Sequence, residues 1–353
     1  MPKSPLYDTL VGSAARIGEY SGCETALSFG DMRREFHELT SGCAMYDLGW
    51  RAKVMVSGND RVRWMNGMVT NNIKNLQVNR GNYNFVLNPQ GRILGDLYAY
   101  NRGEYLLLDT ERSQLENLLT LLRRYIIMDK VELVDKSSEL SAIGVQGPTA
   151  GEVLKAVGID DPGLEPMQLA DLTWKGTTIT LTRMASDEFV TYEVWASAEV
   201  LPQVWKALVK AGAVPVGSEA LEKFRVTIAF PKYGIDIRDR DLPQETGQHH
   251  ALNFTKGCYI GQEIVERIRS RGNVHRAFTK FRLEGELPAV GSKLQADGRE
   301  LGEITSIARV PTEAGEEMLA LGYIRREVLE SGAKITYSGG EAKAAESPVS
   351  IAT

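Results

Sequence analysis

The stretch 81-GNYNFVLNPQGRILGDLYAYN-101 holds two apolar and aromatic runs on either side of an Asn-Pro-Gln-Gly break. Pro89 sets φ near its turn value and Gly91 tolerates positive φ, so the break reads as a turn. The flanking runs are rich in Phe, Val, Ile, Leu and Tyr, which fit a pleated, half-buried surface. The stretch predicts two strands joined as a hairpin. Residues at even separation on a strand share a face, so Asp96, Tyr98 and Tyr100 point one way, with Tyr83 and Asn88 on the preceding strand. A carboxylate among tyrosines suits a flat heteroaromatic ligand, because the rings stack and the carboxylate accepts N–H groups. On composition alone the plainer reading, a solvated sheet face, is the commoner one.

Outward from the hairpin, the chain divides by texture. From 1 to 140 strands and helices alternate. KVMVSGND (53–60) reads as a strand ending in a turn, and DRVRWMNGMVTNNI (60–73) as a helix start. SQLENLLTLLRRYIIM (113–128) spaces Leu115, Leu118, Leu119, Leu122 and Ile126 at helical intervals, with Ser113 placed as an N-cap. From 141 to 275 the mixture recurs. SAIGVQGPTAGEVL is a strand, a break and a helix; TTITLTRM and TYEVWAS are strands; SAEVLPQVWKALVKAG is a helix stopped at Gly212. From 276 to 340 short alternating runs (KFRLEG, SKLQADG, ELGEITSIARV, EMLALGYI, AKITYSG) recur between glycines, the spacing of a small β-barrel or sandwich. The tail SGGEAKAAESPVSIAT reads as frayed. The expectation is an α+β protein with two α+β units and a C-terminal barrel.

Composition excludes several classes. At 353 residues the chain has room for more than one core, and 43% apolar with 25% charged residues is ordinary for a globular protein. A net charge of −5 argues against sequence-independent nucleic-acid binding. The N-terminus, MPKSPLYDTL, lacks the apolar stretch of a signal peptide, and no long apolar run suggests a membrane span, so the expected location is cytoplasmic. Cys23, Cys43 and Cys258 are far apart and lack metal-ligand spacing, so no metal site is expected.

The densest cluster is 256-KGCYIGQE-263. Gly257 and Gly261 permit tight turns and GQEIVERI continues with helical periodicity. A helix N-terminus there would favour an anion, with Lys256 adding charge. A capped helix after a loop explains the same residues equally well. Cys258 as a nucleophile needs a base, and His249, His250 and His275 are the nearest in sequence; a buried or incidental thiol is the commoner state. Glu245 lies in an extended loop, KYGIDIRDRDLPQETGQHH. The arginines of ERIRSRGNVHR could meet an acidic ligand tail or line the exposed face of a helix, the commoner case.

With these residues assembled, nearly the whole chain resembles the folate-binding glycine-cleavage T-protein superfamily. SPLYDTLV, YDLGWRAKVMVSGNDRVRWMNGMVTNNI and GNYNFVLNPQGRILGDLYAY resemble its N-terminal region; IGVQGPTA resembles the start of its second half; KYG with PQE, GRELGEITSIARV and EMLALGYI resemble its later segments. KGCYIGQE followed by Arg271, Gly272 and Arg276 is similar to the signature of the YgfZ branch, whose members bind tetrahydrofolate and support iron–sulfur proteins. Two features depart from the T-protein: MASDEF (184–189) stands where a Gly-Tyr-Thr-Gly-Glu loop is usual, and Gly95-Asp96 where two aspartates are usual. In the other direction, the N-terminal stretch and Arg225 stand closer to the T-protein, and Ile260 replaces the threonine usual in the YgfZ signature.

The resemblance implies a three-domain cloverleaf (1–140, 141–275, 276–340), with two ferredoxin-like units and a small barrel around a central folate channel. It implies Tyr83, Asp96, Tyr100, Glu245, Lys256 and Arg276 as contacts to tetrahydrofolate or a one-carbon-substituted form. Glu245 would accept pterin N–H groups, and Arg276 and Lys256 would face the glutamate tail. Asp96 and Cys258 are the implied catalytic groups. The leading functional expectation is a tetrahydrofolate-binding protein that serves iron–sulfur client proteins. The alternative is a folate-dependent aminomethyl- or methyltransferase, and a further reading is a scaffold that has lost folate binding.

Overall fold

The computed structural model describes residues 1–185, 189–272, 274–312 and 315–345. They form two compact units. The first takes residues 1–84 and 96–221, and the second takes 85–95 together with Glu222 onward.

The first unit is built on two mainly antiparallel sheets. One runs in the order Gly81–Leu87, Ile93–Asn101, Leu106–Glu111, Arg51–Ser57, Glu132–Asp135. The other runs Leu169–Trp174, Thr177–Arg183, Thr191–Ser197, Leu140–Gln146, Ala44–Asp47, Val214–Pro215, the last pair parallel. The second sheet therefore takes a strand from the N-terminal part of the chain. Residues 81–101 form the expected hairpin. Its turn is closed by Asn88 N donating to Arg92 O at 2.9 Å, with Gly91 at φ +72°.

The helix Arg112–Arg123 buries Leu115, Leu118, Leu119 and Leu122, the stripe its spacing predicts. Its ends differ from expectation. Ser113 is the second helical residue, not the cap, and its hydroxyl lies 3.4 Å from a Glu111 carboxylate oxygen. The helix stops before Ile126, because Tyr125 O accepts a 3.1 Å hydrogen bond from the Trp64 indole and the apolar stripe ends: Ile127 and Met128 are exposed. The helix Leu201–Lys210 carries Pro202 in its first turn, where a missing N–H costs nothing, and stops before Gly212 at φ +102°. Its buried face, Leu201, Val204, Trp205 and Leu208, packs with Ile143, Val145, Leu181 and Val194 of the six-stranded sheet in one core.

In the second unit the alternating runs after His275 close into a six-stranded barrel. The order is Arg276–Gly285, Gly315–Arg325, Arg299–Thr312, Lys293–Ala296, Ile335–Tyr337, Gly340–Ala345, and back to the first. Phe281, Leu283, Leu294, Ile304, Ala320, Ile324, Ile335 and Ala342 fill it. The tail expectation is corrected here. Gly340–Ala345 is the closing strand, paired with both Ile335–Tyr337 and Arg276–Gly285. Its apolar residues are only alanines, so periodicity does not announce it. What recruits it is the open edge of two neighbouring strands, whose N–H and C=O groups need partners. Residues 346–353 of that tail lie outside the described residues.

The helix Gln262–Arg271 also lies in this unit. Its N-cap, Gly261, is left-handed at φ +83°, and a Cβ there would meet the Asn88 carbonyl oxygen at 2.6 Å. The glycine is what lets the hairpin tip approach.

Candidate functional site

Parity on the strand Ile93–Asn101 brings Asp96, Tyr98 and Tyr100 to one face, as the sequence implies. The face is not solvated: Tyr83, Asp96 and Tyr100 are all buried. Stacking of the two sheets in the first unit explains the difference. Trp195 of the six-stranded sheet sets its ring edge-on to Tyr100 at 4.9 Å, and Tyr98 lies 5.0 Å from Tyr83 and 6.5 Å from Tyr100.

Among the described residues the Asp96 carboxylate is held by neutral donors alone. One oxygen accepts from the Tyr83 hydroxyl at 2.5 Å and the other from Gln114 Nε2 at 2.7 Å. The same Gln114 accepts from Asp96 N at 3.0 Å. Among the described residues Asp96 has no ion pair. Burial, then the Asp96 charge, pushes the Tyr83 phenol well above its ordinary range, so it stays a donor.

Next to these aromatics lie four charged residues that the sequence reading did not single out. Arg51 Nε donates to Asp109 at 2.6 Å, and Lys53, fully buried, ion-pairs with the same carboxylate. Glu193, from the other sheet, accepts from the Trp195 indole at 2.7 Å and lies 4.0 Å from Lys53 Nζ. The Lys53 ammonium sits 4.4 Å from the Trp195 ring centre and Arg51 lies 5.6 Å from that of Tyr98. One signal was available: Arg51 and Lys53 alternate on a strand otherwise apolar.

In the second unit Glu245 and Arg276 meet. Arg276 Nε reaches one Glu245 oxygen at 3.0 Å, and Nη2 reaches the other at 3.0 Å and Asp241 at 2.6 Å. Leu242 N also donates to Glu245 at 3.0 Å. Three of the roughly four acceptor positions of Glu245 are thus taken. Hydrogen bonds and charge from Glu245 and Asp241 hold the Arg276 guanidinium firmly protonated despite burial. Its plane lies 4.7 Å from the Tyr323 ring centre, and the buried Tyr323 hydroxyl has no hydrogen-bond partner among the described residues.

KGCYIGQE forms a glycine-flanked turn leading into the helix Gln262–Arg271, with Gly257 at φ +93°. Lys256 is buried, 5.0 Å from the Tyr259 ring centre, and burial lowers its pKa to about 7. Cys258 is exposed, whereas Cys23 and Cys43 are buried and pushed up to about 12. Of the two expectations for Cys258, a buried or an incidental thiol, its exposure removes the first. Arg267 and Arg269 pair with Glu263 and Glu266 on the helix's exposed face, the commoner of the two readings of that run. Residues 186–188 of MASDEF, Asn273 and the Arg271 side chain lie outside the described residues. Among the described residues no group of three or more His, Cys, Asp or Glu is arranged to hold a metal ion.

Tyr83, Asp96 and Tyr100 therefore gather in the first unit, and Glu245, Lys256, Cys258 and Arg276 belong to the second. The profile of the GCVT N-terminal domain matches residues 6–256. The chain belongs to the glycine-cleavage T-protein (GCVT) family. Relatives named aminomethyltransferase include one of Rippkaea orientalis, 27% identical and covering 94% of this chain and 91% of the relative. Another, of Geobacillus kaustophilus, is 26% identical and covers 95% and 93%. The crystal structure of the glycine cleavage system aminomethyltransferase T from Bartonella henselae superposes with a TM-score of 0.87 over 98% of this chain and 97% of that one, at 18% identity. The family thus shares the mixed fold and closed barrel seen here.

Proposed function

We propose that this protein binds a tetrahydrofolate and transfers a one-carbon group, as an aminomethyl- or methyltransferase of the T-protein type. The order of the two sequence expectations is thereby reversed, because full-length relatives are named aminomethyltransferase. The observation that carries the reading is Asp96. A buried carboxylate balanced only by neutral donors has a field unspent on any cation of its own, suited to stabilising positive charge on a one-carbon adduct. Tyr83 and Tyr100 supply ring faces beside it.

Two buried glutamates are offered as acceptors for pterin N–H groups. Glu245 is the one the resemblance implies, and taking a pair of donors would require Arg276 to release it, leaving a guanidinium still paired with Asp241 to face a ligand carboxylate. Glu193 needs no such release, since one oxygen takes no hydrogen bond among the described residues. The cloverleaf about a folate channel and the division into 1–140, 141–275 and 276–340 belong to the same proposal, on the strength of the resemblance. So does a cytoplasmic location; among the described residues no helix is long and apolar enough to cross a membrane.

The test is calorimetric titration with tetrahydrofolate and its methylene form, alongside a transfer assay with an amine acceptor. Wild type should bind, and Asp96→Asn should keep binding while transfer falls by about two orders of magnitude. Absence of folate affinity in the wild type would sink the reading. A second reading, support of iron–sulfur client proteins, is favoured by one observation: Cys258 is presented to solvent on the KGCYIGQE turn. Under it, Cys258→Ala would lower iron–sulfur enzyme activity in cells while leaving folate binding intact.

A further inference from the structure

Lys53 lies at the seam of the two sheets in the first unit and is shared unequally between two carboxylates. Lys53 and Asp109 are register partners on adjacent strands, and their side chains pair directly. Glu193 comes from the facing sheet, and its oxygen stands 4.0 Å from the same ammonium. Asp109 has a second cation in Arg51 at 2.6 Å, whereas among the described residues the hydrogen bond to the Glu193 carboxylate comes from the neutral Trp195 indole. Asp109 is therefore secured as an anion and Glu193 is not.

We propose that Lys53 is a positioning residue that governs the proton on Glu193, making Glu193 a group that switches between hydrogen-bond acceptor and donor. The groups facing Glu193 come from each strand packed about it. Arg51 and Lys53 lie on Arg51–Ser57, Asp109 on Leu106–Glu111, Tyr98 and Tyr100 on Ile93–Asn101, and Tyr46 on Ala44–Asp47. The three phenols are pushed upward by burial and stay neutral, so they do not compete for the proton. Burial raises the Glu193 pKa. Lys53 is the largest opposing influence, the Asp109 charge adds to the rise, and Trp195 and Arg51 oppose it more weakly.

That this switch would gate ligand N–H groups rests on the folate reading; the switch itself does not. Trp195 reports it without any ligand, because its indole bonds to Glu193 and its ring faces Lys53. The experiment is a fluorescence titration against pH of the ligand-free full chain, with Trp195→Phe subtracting the remaining tryptophans and Glu193→Gln identifying the titrating group. Lys53→Met should raise the midpoint by about one pH unit or more, and Lys53→Arg should restore it. Asp109→Asn should lower the midpoint, and it supplies the test if Lys53→Met fails to fold. A midpoint indifferent to Lys53→Met or Asp109→Asn, or one surviving in Glu193→Gln, overturns the proposal. Shifted midpoints in a protein with no folate affinity uphold the switch and remove the folate reading alone.

Discussion

Lys256 illustrates how a single buried charge writes itself into stability. Its folded pKa is about 7 against an ordinary 10.5, lowered by burial. Between those values the unfolded chain holds a proton that the folded chain does not, so raising pH through this window favours the fold. Lys256→Met should be most advantageous to stability near pH 7, and its advantage should shrink toward pH 10. Denaturant unfolding of both proteins at several pH values measures this; parallel curves would show that Lys256 is not the group. At this scale the sequence was legible where chemistry followed local parity. Tyr83, Asp96 and Tyr100 could be placed on one face because two-residue periodicity is a property of any strand. Lys53, Asp109 and Glu193 could not be joined in advance. Their meeting depends on the register between strands more than fifty residues apart and on the stacking of one sheet on another, and neither is encoded near the residues themselves.

At the scale of elements, the helix Gln262–Arg271 and the hairpin tip make a close approach that only glycine permits. Gly261→Ala forces a Cβ onto a left-handed backbone and toward the Asn88 carbonyl oxygen, and should lower stability by about 1–3 kcal/mol. Gly272→Ala, at the other end of the same helix, has extended backbone and open space around it, and should be nearly neutral. Thermal melts of the two variants separate backbone strain from a loss of helix. Both element ends read less well from sequence than element interiors. The leucine stripe of Arg112–Arg123 was plain, but Ser113 falls inside the helix and not at its cap, and the chain just past the helix is held by the Trp64 indole on Tyr125 O, a tertiary contact that periodicity does not show.

At the scale of the molecule, the barrel was legible as spaced alternating runs, while its closure was not, because the last strand is alanine-rich and its partner edges supply the reason it forms. Ala342 is the closing strand's inward residue in the barrel core. Ala342→Asp should place an unpaired carboxylate there, at a cost of about 2 kcal/mol or more, and loosen the seam. Hydrogen exchange of Arg276–Gly285 and Ile335–Tyr337, the two strands it joins, should rise together; protection unchanged in both would mean that the barrel holds without this seam. The family resemblance was visible in segments scattered from Ser4 to the barrel, and the domain profile over 6–256 agrees with it. The branch expectation rests on KGCYIGQE, with its exposed thiol, together with Arg271, Gly272 and Arg276, and full-length similarity weighs on the other side.

The hairpin at residues 81–101 is made long before the partners of its tip. Its strands begin in the first unit and its tip, 85–95, belongs to the second, whose remainder starts only at Glu222. A chain emerging from the ribosome at about 5–20 residues per second therefore finishes the hairpin several seconds before Gly261 and Ile264, which approach Leu87 and Gly91 at its tip, are made. The nascent protein has to keep an apolar fingertip waiting, and cells that make it have reason to shield that interval.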